Sequence, residues 1–329
     1  MKRLIALLAL LLMPAQSFGS ILASRLTFDG TADKLDDESV GMAVDFNNDN
    51  ILNTGDVIFG IVRIDARTPG ATAFNPPRVH ALYAFQVTAD ADVNGIITFG
   101  AVVNNADNVS GNGTPSIFDG LKRNDFTLQK MITNVNNLGI TSPVVSDANW
   151  AKAGFAILTN AADSDPLAVD VAGSHLNGYT VATTHMRAAT GWNLELVAGF
   201  DAANDYYKVK VTSSSIAALN QLRSQGSAGQ FGLFAGGFTV LDHTMGSSVV
   251  FLPVQGENPG GETQTGTYHD MVIESGTLNG VRTDASAAKR EWMYRDNADF
   301  RVNAVPEPTS LLAWAGLIVA GRFGLRRRK

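Results

Sequence analysis

The sequence predicts a mainly β protein, an antiparallel, sandwich-like body with short helical insertions. Three observations carry that expectation. The 329-residue chain holds 32 glycines, is rich in Val, Thr and Asn, and is only 17% charged, a composition suited to many strands joined by tight turns. Short apolar or alternating segments recur along it, separated by Asp-Gly, Asn-Gly and Asn/Asp-rich stretches. No segment repeats with a period of about 20–50 residues, so a solenoid is not expected. The chain has no cysteine. Thiolate zinc sites, iron–sulfur clusters and cysteine nucleophiles are therefore excluded, and stability must come from the core or from bound metal.

The elements follow in order. Residues 1–19 read as a signal peptide: Lys2 and Arg3 form a basic start, Leu4 to Leu12 an apolar stretch, and Ser17 with Gly19 a small-x-small site. Cleavage is expected after Gly19. Nine apolar residues are too few to cross a bilayer. The body, residues 20–305, opens with a strand and an Asp-Gly turn over Ser20 to Gly30. Thr31 to Ser39 is polar and acidic and reads as a loop, and Val40 to Phe46 as a short strand. Val57 to Ile64, Ala81 to Thr88 and Ile96 to Val103 are predicted strands. The last two flank Asp90, Asp92, Asn94 and Gly95, oxygen-bearing positions that an Asn-Gly hairpin explains without a ligand.

Asn104 to Ser116 is an Asn/Gly-rich loop. The spacing of Phe118, Leu121, Phe126, Leu128, Met131 and Ile132 predicts a helix or two within Ile117 to Val135. Trp150 to Leu158 reads as a buried strand. Tyr179 to Met186, Gly191 to Phe200 and Tyr206 to Thr212 form a predicted meander, followed by a serine-capped helix from Ser213 to Ser224 that Gly226 closes. Phe231 to Leu241 and Ser248 to Val254 are strands, and Pro259 to Thr267 is a polar loop. Met271 to Glu274 and Asp299 to Val305 are late strands, with a helix expected over Ala285 to Tyr294.

The most informative internal stretch is residues 45–56. Asp45, Asn47, Asp49, Asn53 and Asp56 place oxygen side chains at positions 1, 3, 5, 9 and 12 of a twelve-residue loop. Calcium takes about six to eight hard oxygen ligands, and alternate residues of a tight turn can point inward together. Ile51 at position 7 would offer its backbone carbonyl, and Leu52 would pack beneath the loop. The stretch resembles a single dockerin-type calcium loop, a family in which Asp at position 12 is common. It departs from the pattern at position 6, where Asn50 replaces glycine, although Asn tolerates the left-handed conformation. A strand, not a helix, follows at Val57. A true dockerin carries two such repeats on helices, so cohesin binding is not expected and the role of calcium would be structural. An Asn/Asp-rich hairpin loop that binds nothing would have the same composition.

Residues 306–329 are a different kind of sequence. Pro306, Glu307 and Pro308 precede an apolar run from Leu311 to Leu325, 15 residues interrupted by Arg322, and Arg326, Arg327, Arg328 and Lys329 close it. As a helix this run would be about 22 Å long against a hydrocarbon core of about 30 Å, marginal as a permanent anchor. The order of motif, apolar segment and basic end resembles the PEP-CTERM sorting signal of Gram-negative bacteria. The resemblance implies a short transmembrane sorting helix read and removed by exosortase, a membrane cysteine protease-transpeptidase. It also implies transit through the inner membrane to the cell surface or an extracellular matrix rich in exopolysaccharide. Pro306, Glu307 and Pro308 would be the recognition motif, and the basic end would hold the cytoplasmic side until cleavage.

Setting aside the two cations of the leader and the five cations and one anion of the tail leaves the body with 18 Lys plus Arg against 30 Asp plus Glu, a net of −12. Such a body repels phosphate backbones, so nucleic-acid binding is not expected. His80, His175, His185, His243 and His269 are scattered and form no His-Glu-x-x-His pattern. There is no Gly-x-Ser-x-Gly elbow and no phosphate-binding glycine loop. The expected function is non-enzymatic: an exported, calcium-stabilised protein of the cell surface or matrix. Two alternatives remain. One is a carbohydrate-binding module using Trp150, Trp192, Trp292, Tyr206 and Tyr207, residues that core packing would equally explain. The other is a secreted glycan hydrolase with a carboxylate pair that spacing does not reveal.

Overall fold

The computed structural model describes residues 20–68, 72–73, 79–107, 121–136, 145–160, 192–211, 230–246, 249–280, 294–296 and 299–306. The signal peptide, the strand over Tyr179 to Met186, the helix over Ser213 to Ser224, most of the helix over Ala285 to Tyr294, and the sorting tail beyond Pro306 lie outside these residues. No described helix is long and apolar enough to cross a membrane.

The described chain is mainly β. Its elements are β1 (Asp33–Val44), β2 (Val57–Thr68), β3 (Thr72–Ala73), β4 (Val79–Ala89), β5 (Ile96–Ala101), α1 (Leu128–Asn136), α2 (Asp147–Trp150), β6 (Ala153–Asn160) and β7 (Trp192–Gly199). They continue with β8 (Tyr206–Val211), β9 (Gln230–His243), β10 (Val249–Phe251), β11 (Val254–Glu257), β12 (Thr263–His269), β13 (Met271–Gly280), β14 (Tyr294–Asp296), β15 (Phe300–Val302) and β16 (Ala304–Pro306). Among the described residues, twelve strands join one sheet, and β10–β16 and β11–β12 form separate two-stranded ribbons. All the ladders described are antiparallel, as the short segments and tight turns predict.

Two long strands fork the sheet. One edge of β4 pairs with β2, while its other edge is divided, Val79 to Tyr83 against β6 and Phe85 to Ala89 against β5. β9 does the same, with β13 along one edge and β8 then β7 on successive halves of the other. Strand β13 returns through β14 and β15 to β1, and β1 pairs with β2, so the ladders close into a ring without a free edge between them. The predicted meander is corrected here. β7 and β8 share β9 as partner and do not pair with each other.

Closure with a second covered face explains the sequence of the central strands. Ile58, Val62 and Ile64 of β2 point into the ring with Tyr83 and Phe85 of β4. Val57, Phe59 and Ile61 point the other way, beneath Phe126, Met131 and Ile132 of α1 and the turn before it. Both faces are buried, so these strands read as continuous apolar runs instead of alternating ones. The helical spacing predicted within Ile117 to Val135 resolves as a 3₁₀ turn, Arg123–Phe126, followed by α1.

Three further expectations are corrected. Ser20 to Gly30 is not a strand: it forms a 3₁₀ turn at Ala23–Arg25, started by the Ser20 hydroxyl accepting from the Ala23 N–H at 2.9 Å. Thr31 to Ser39 is not a loop: from Asp33 it belongs to β1, paired on both edges. Its first two charges find partners, Asp33 nearby and Lys34 far along the chain. Asp33 is buried and accepts from Thr27, and Lys34 meets Glu274 at 2.8 Å and Asp299 at 2.6 Å. Pro259 to Thr267 is only partly a loop, because β12 begins at Thr263 and pairs back on β11. The 90–95 segment is the expected hairpin, with Gly95 at φ +75° and Asp92 accepting from the N–H groups of Asn94 and Ile96.

Candidate calcium-binding loop

The 45–56 loop connects β1 to β2 and has no flanking helix. Its conformation comes from its own Asn and Asp side chains. The Asp45 carboxylate accepts from the N–H of Asn48 at 2.5 Å and of Asn50 at 2.8 Å. Asn47 accepts from the N–H of Asp49, and Asp49 from that of Ile51. These short-range turns bend the backbone twice into the left-handed region, at Asn48 (φ +62°) and Asn50 (φ +63°). Asn50 therefore does adopt the conformation that glycine usually supplies at position 6. Leu52 is buried below the loop, as its position predicts.

Three head groups converge. Asp49 Oδ2 lies 3.0 Å from Asn47 Nδ2 and 2.5 Å from Asn53 Nδ2, and Asn47 Nδ2 lies 3.1 Å from Asn53 Oδ1. A half-turn of either amide exchanges its nitrogen for its oxygen, so positions 3, 5 and 9 can present a cluster of hard oxygens to a cation. The donor set has the chemistry calcium requires. Asp56 differs. Its carboxylate is 1% exposed and ties the two ends of the loop together, accepting from the N–H of Phe46 and of Asn53, each at 2.9 Å. Burial, aided by the negative charges of Asp45 and Asp49 and partly offset by the two N–H donors, pushes its carboxyl up to about 7. Among the described residues no three acidic or histidine side chains form a ready-made metal cluster.

The titration of Asp56 makes a prediction. In the unfolded chain such a carboxyl loses its proton near pH 4, whereas the folded one keeps it to about 7. Between these values the native state binds more protons, so this group makes stability fall as pH rises through that window. In the presence of chelator, Asp56→Asn should remove that downward contribution, read as the difference between the wild-type and variant urea midpoints from pH 4 to pH 7.

Residues remote in sequence hold the loop from outside. Arg123 is buried, with its guanidinium 4.1 Å over the Phe46 ring, its Nη1 donating to the Gly55 carbonyl and its Nε 3.6 Å from Asp107. Asp90 accepts from Thr54 through both the N–H (2.5 Å) and the hydroxyl (2.7 Å), joining the loop to the 90–95 hairpin. Neither contact was signalled locally, since Arg123 stands at a helix start and Asp90 in a separate turn.

The remaining candidates fall elsewhere. Trp192, Tyr206 and Tyr207 are buried, Trp192 against His80 and Tyr207 stacked on Phe85, so these three are core residues and offer no sugar-stacking face. Trp150 is half-buried beside the second core, and Trp292 lies outside the described residues. His269 is paired with Asp205, and His175 and His185 lie outside the described residues. An open cleft of about 550 Å³ that the sequence did not announce runs between β9 and β10, bordered by Asp242, His243, Thr244, Phe251 and Asp270. Burial pushes the Asp270 carboxyl up and the His243 imidazole down. Of the sorting residues, only Pro306 is described: it ends β16, opposite Val249 of β10. Glu307, Pro308 and Arg326 to Lys329 lie outside the described residues. No family model matches the chain, and neither the curated proteins nor the solved structures include a match to it.

Proposed function

We propose that this chain is a non-enzymatic exported protein, sorted through its tail by exosortase to the cell surface or an exopolysaccharide matrix, whose β body is stabilised by calcium at the 45–56 loop. The tail sequence carries this reading: the Pro306, Glu307, Pro308 motif, the apolar run and the basic end occur together and in order. The body is compatible with it, because its last described strand, β16, reaches the first residue of that motif, Pro306. Asp45, Asn47, Asp49, Asn53 and the Ile51 carbonyl would hold calcium, with Asp56 fixing the ends of the loop and able to share an oxygen. The ion would supply positive charge beside the Asp45 and Asp49 carboxylates and favour ionisation of the buried Asp56 carboxyl.

A substitution pair tests the sorting. Glu307→Ala with Pro308→Ala leaves β16 intact and should strand the chain in the membrane fraction of an exosortase-bearing host. The wild type should reach the surface with a mass reduced by the tail. A wild type that keeps residues 309–329 at the surface would contradict the reading.

A further inference from the structure

The buried carboxylate of Glu195 sits beside the first residues of the described chain. Glu195, on β7, is 2% exposed. Its Oε1 accepts from the Thr159 hydroxyl at 2.6 Å and from the Ile21 N–H at 3.1 Å, and its Oε2 accepts from the Thr244 hydroxyl at 2.6 Å. All three donors are neutral, and no basic side chain among the described residues pairs with it. An isolated buried carboxylate is costly even after relaxation, and an opposite charge within about 4–6 Å offsets that cost.

We infer that the α-ammonium created at Ser20 when the leader is removed after Gly19 is that charge, and that its pairing with Glu195 locks the first turn of the mature chain into the end of the ring. The inference rests on residues 1–19 being a cleaved leader. Consecutive backbone nitrogens are about 2.8–3.6 Å apart, so the Ser20 nitrogen lies within about 7 Å of the Glu195 oxygen that holds the Ile21 N–H. A terminal amine titrates near 7.7–8.0 and is protonated at neutral pH. In the uncut chain the same nitrogen is a neutral peptide amide.

The turn that follows is built to be seated. Ser20 is buried, its hydroxyl accepts from the Ala23 N–H, and its carbonyl accepts from the Ser24 N–H. Leu22 and Leu26 then enter the ring's core beside Leu196, Met271 and Phe300, leaving only a void of about 10 Å³. A peptidase needs an extended, accessible bond, and a buried Ser20 does not offer one. Cleavage would therefore act on the turn while it is unseated, and the charge it creates would favour the seated form.

The test uses the full chain exported by a bacterial host and recovered after processing. Its first residue is read by mass spectrometry, and its α-amine is then acetylated near neutral pH, where lysines stay protonated. Acetylation should lower the melting midpoint by about 3 °C or more in the wild type and leave Glu195→Gln nearly unchanged. No shift in the wild type, or an equal shift in both proteins, would overturn the inference. If Glu195→Gln does not fold, the wild type alone decides. The pH dependence of its acetylation rate should place the amine above about 8, and a value at or below that of a free terminus overturns the pairing. A first residue other than Ser20 sinks the cleavage reading itself, whereas a Ser20 start with no acetylation effect sinks only the pairing.

Discussion

Asp205→Ala is expected to destabilise the protein by about 3–5 kcal/mol, because it removes a buried carboxylate that several donors are bonded to, each lost partner costing about 1–3 kcal/mol. Asp205 and His269 are paired at 3.0 Å with side chains 1% and 0% exposed. The other carboxylate oxygen of Asp205 accepts from the N–H groups of Asp201 and Ala202 and from the Thr239 hydroxyl at 2.8 Å. Alanine would therefore remove the shared acceptor of four donors where β8, β9 and β12 meet, two of them, His269 and the Thr239 hydroxyl, away from solvent. Burial alone would raise the Asp205 carboxyl, but His269, Thr239 and the two N–H groups outweigh it and hold the group below its ordinary range. A depressed folded value gives stability that is present above the unfolded value near pH 4 and lost as pH falls through the folded one. Urea unfolding at pH 7 and pH 3 should show the variant's deficit shrinking at the lower pH. An Asp205→Ala protein as stable as wild type at pH 7 would contradict this assignment.

Phe85→Ala should cost about as much, about 3–5 kcal/mol, for an unrelated reason. Phe85 occupies the point at which β4 divides between β5 and β6. Its ring stacks on Tyr207 at 4.5 Å, on Tyr83 at 5.6 Å and on Phe238 at 5.6 Å, and meets Phe200 edge-on at 5.9 Å. These neighbours come from four separate segments, so the cavity cannot close by moving one side chain. Phe85→Leu should recover part of the loss. Equilibrium urea unfolding measures both, and a Phe85→Ala midpoint at the wild-type value would show that the ring is not where the two routes are joined.

What was legible in the sequence was local. The apolar runs at 57–64, 81–88 and 231–241 each mark a strand because period and composition act within a few residues. The Asn/Asp spacing at 45–56 marks a turn for the same reason, and the left-handed Asn50 follows from its side chain. The acidic strand β1 was not legible, because Lys34 gains Glu274 and Asp299 only when β13 and β15 fold beside it. The fork at β4 was equally hidden. Which half of an edge pairs with β5 and which with β6 is a property of closure, and no residue in β4 announces it. At the candidate site, the five oxygen side chains were readable from spacing alone, whereas Arg123 and Asp90 reach the loop from remote turns. The burial of Trp192, Tyr206 and Tyr207 also depends on closure, since aromatic residues at strand positions suit a core or an exposed face equally.

Calcium binding at the loop is the claim that connects the residues to the behaviour of the whole body, and a melt tests it most directly. The purified mature protein would be heated with calcium and then with excess chelator, beside an Asp45→Ala, Asp49→Ala double variant. A ligand that binds only the native state raises the midpoint by mass action, so the wild type should melt higher in calcium and the double variant should not respond. A wild-type midpoint that is the same in calcium and in chelator would contradict the account and make residues 45–56 a hairpin loop held by its own hydrogen bonds.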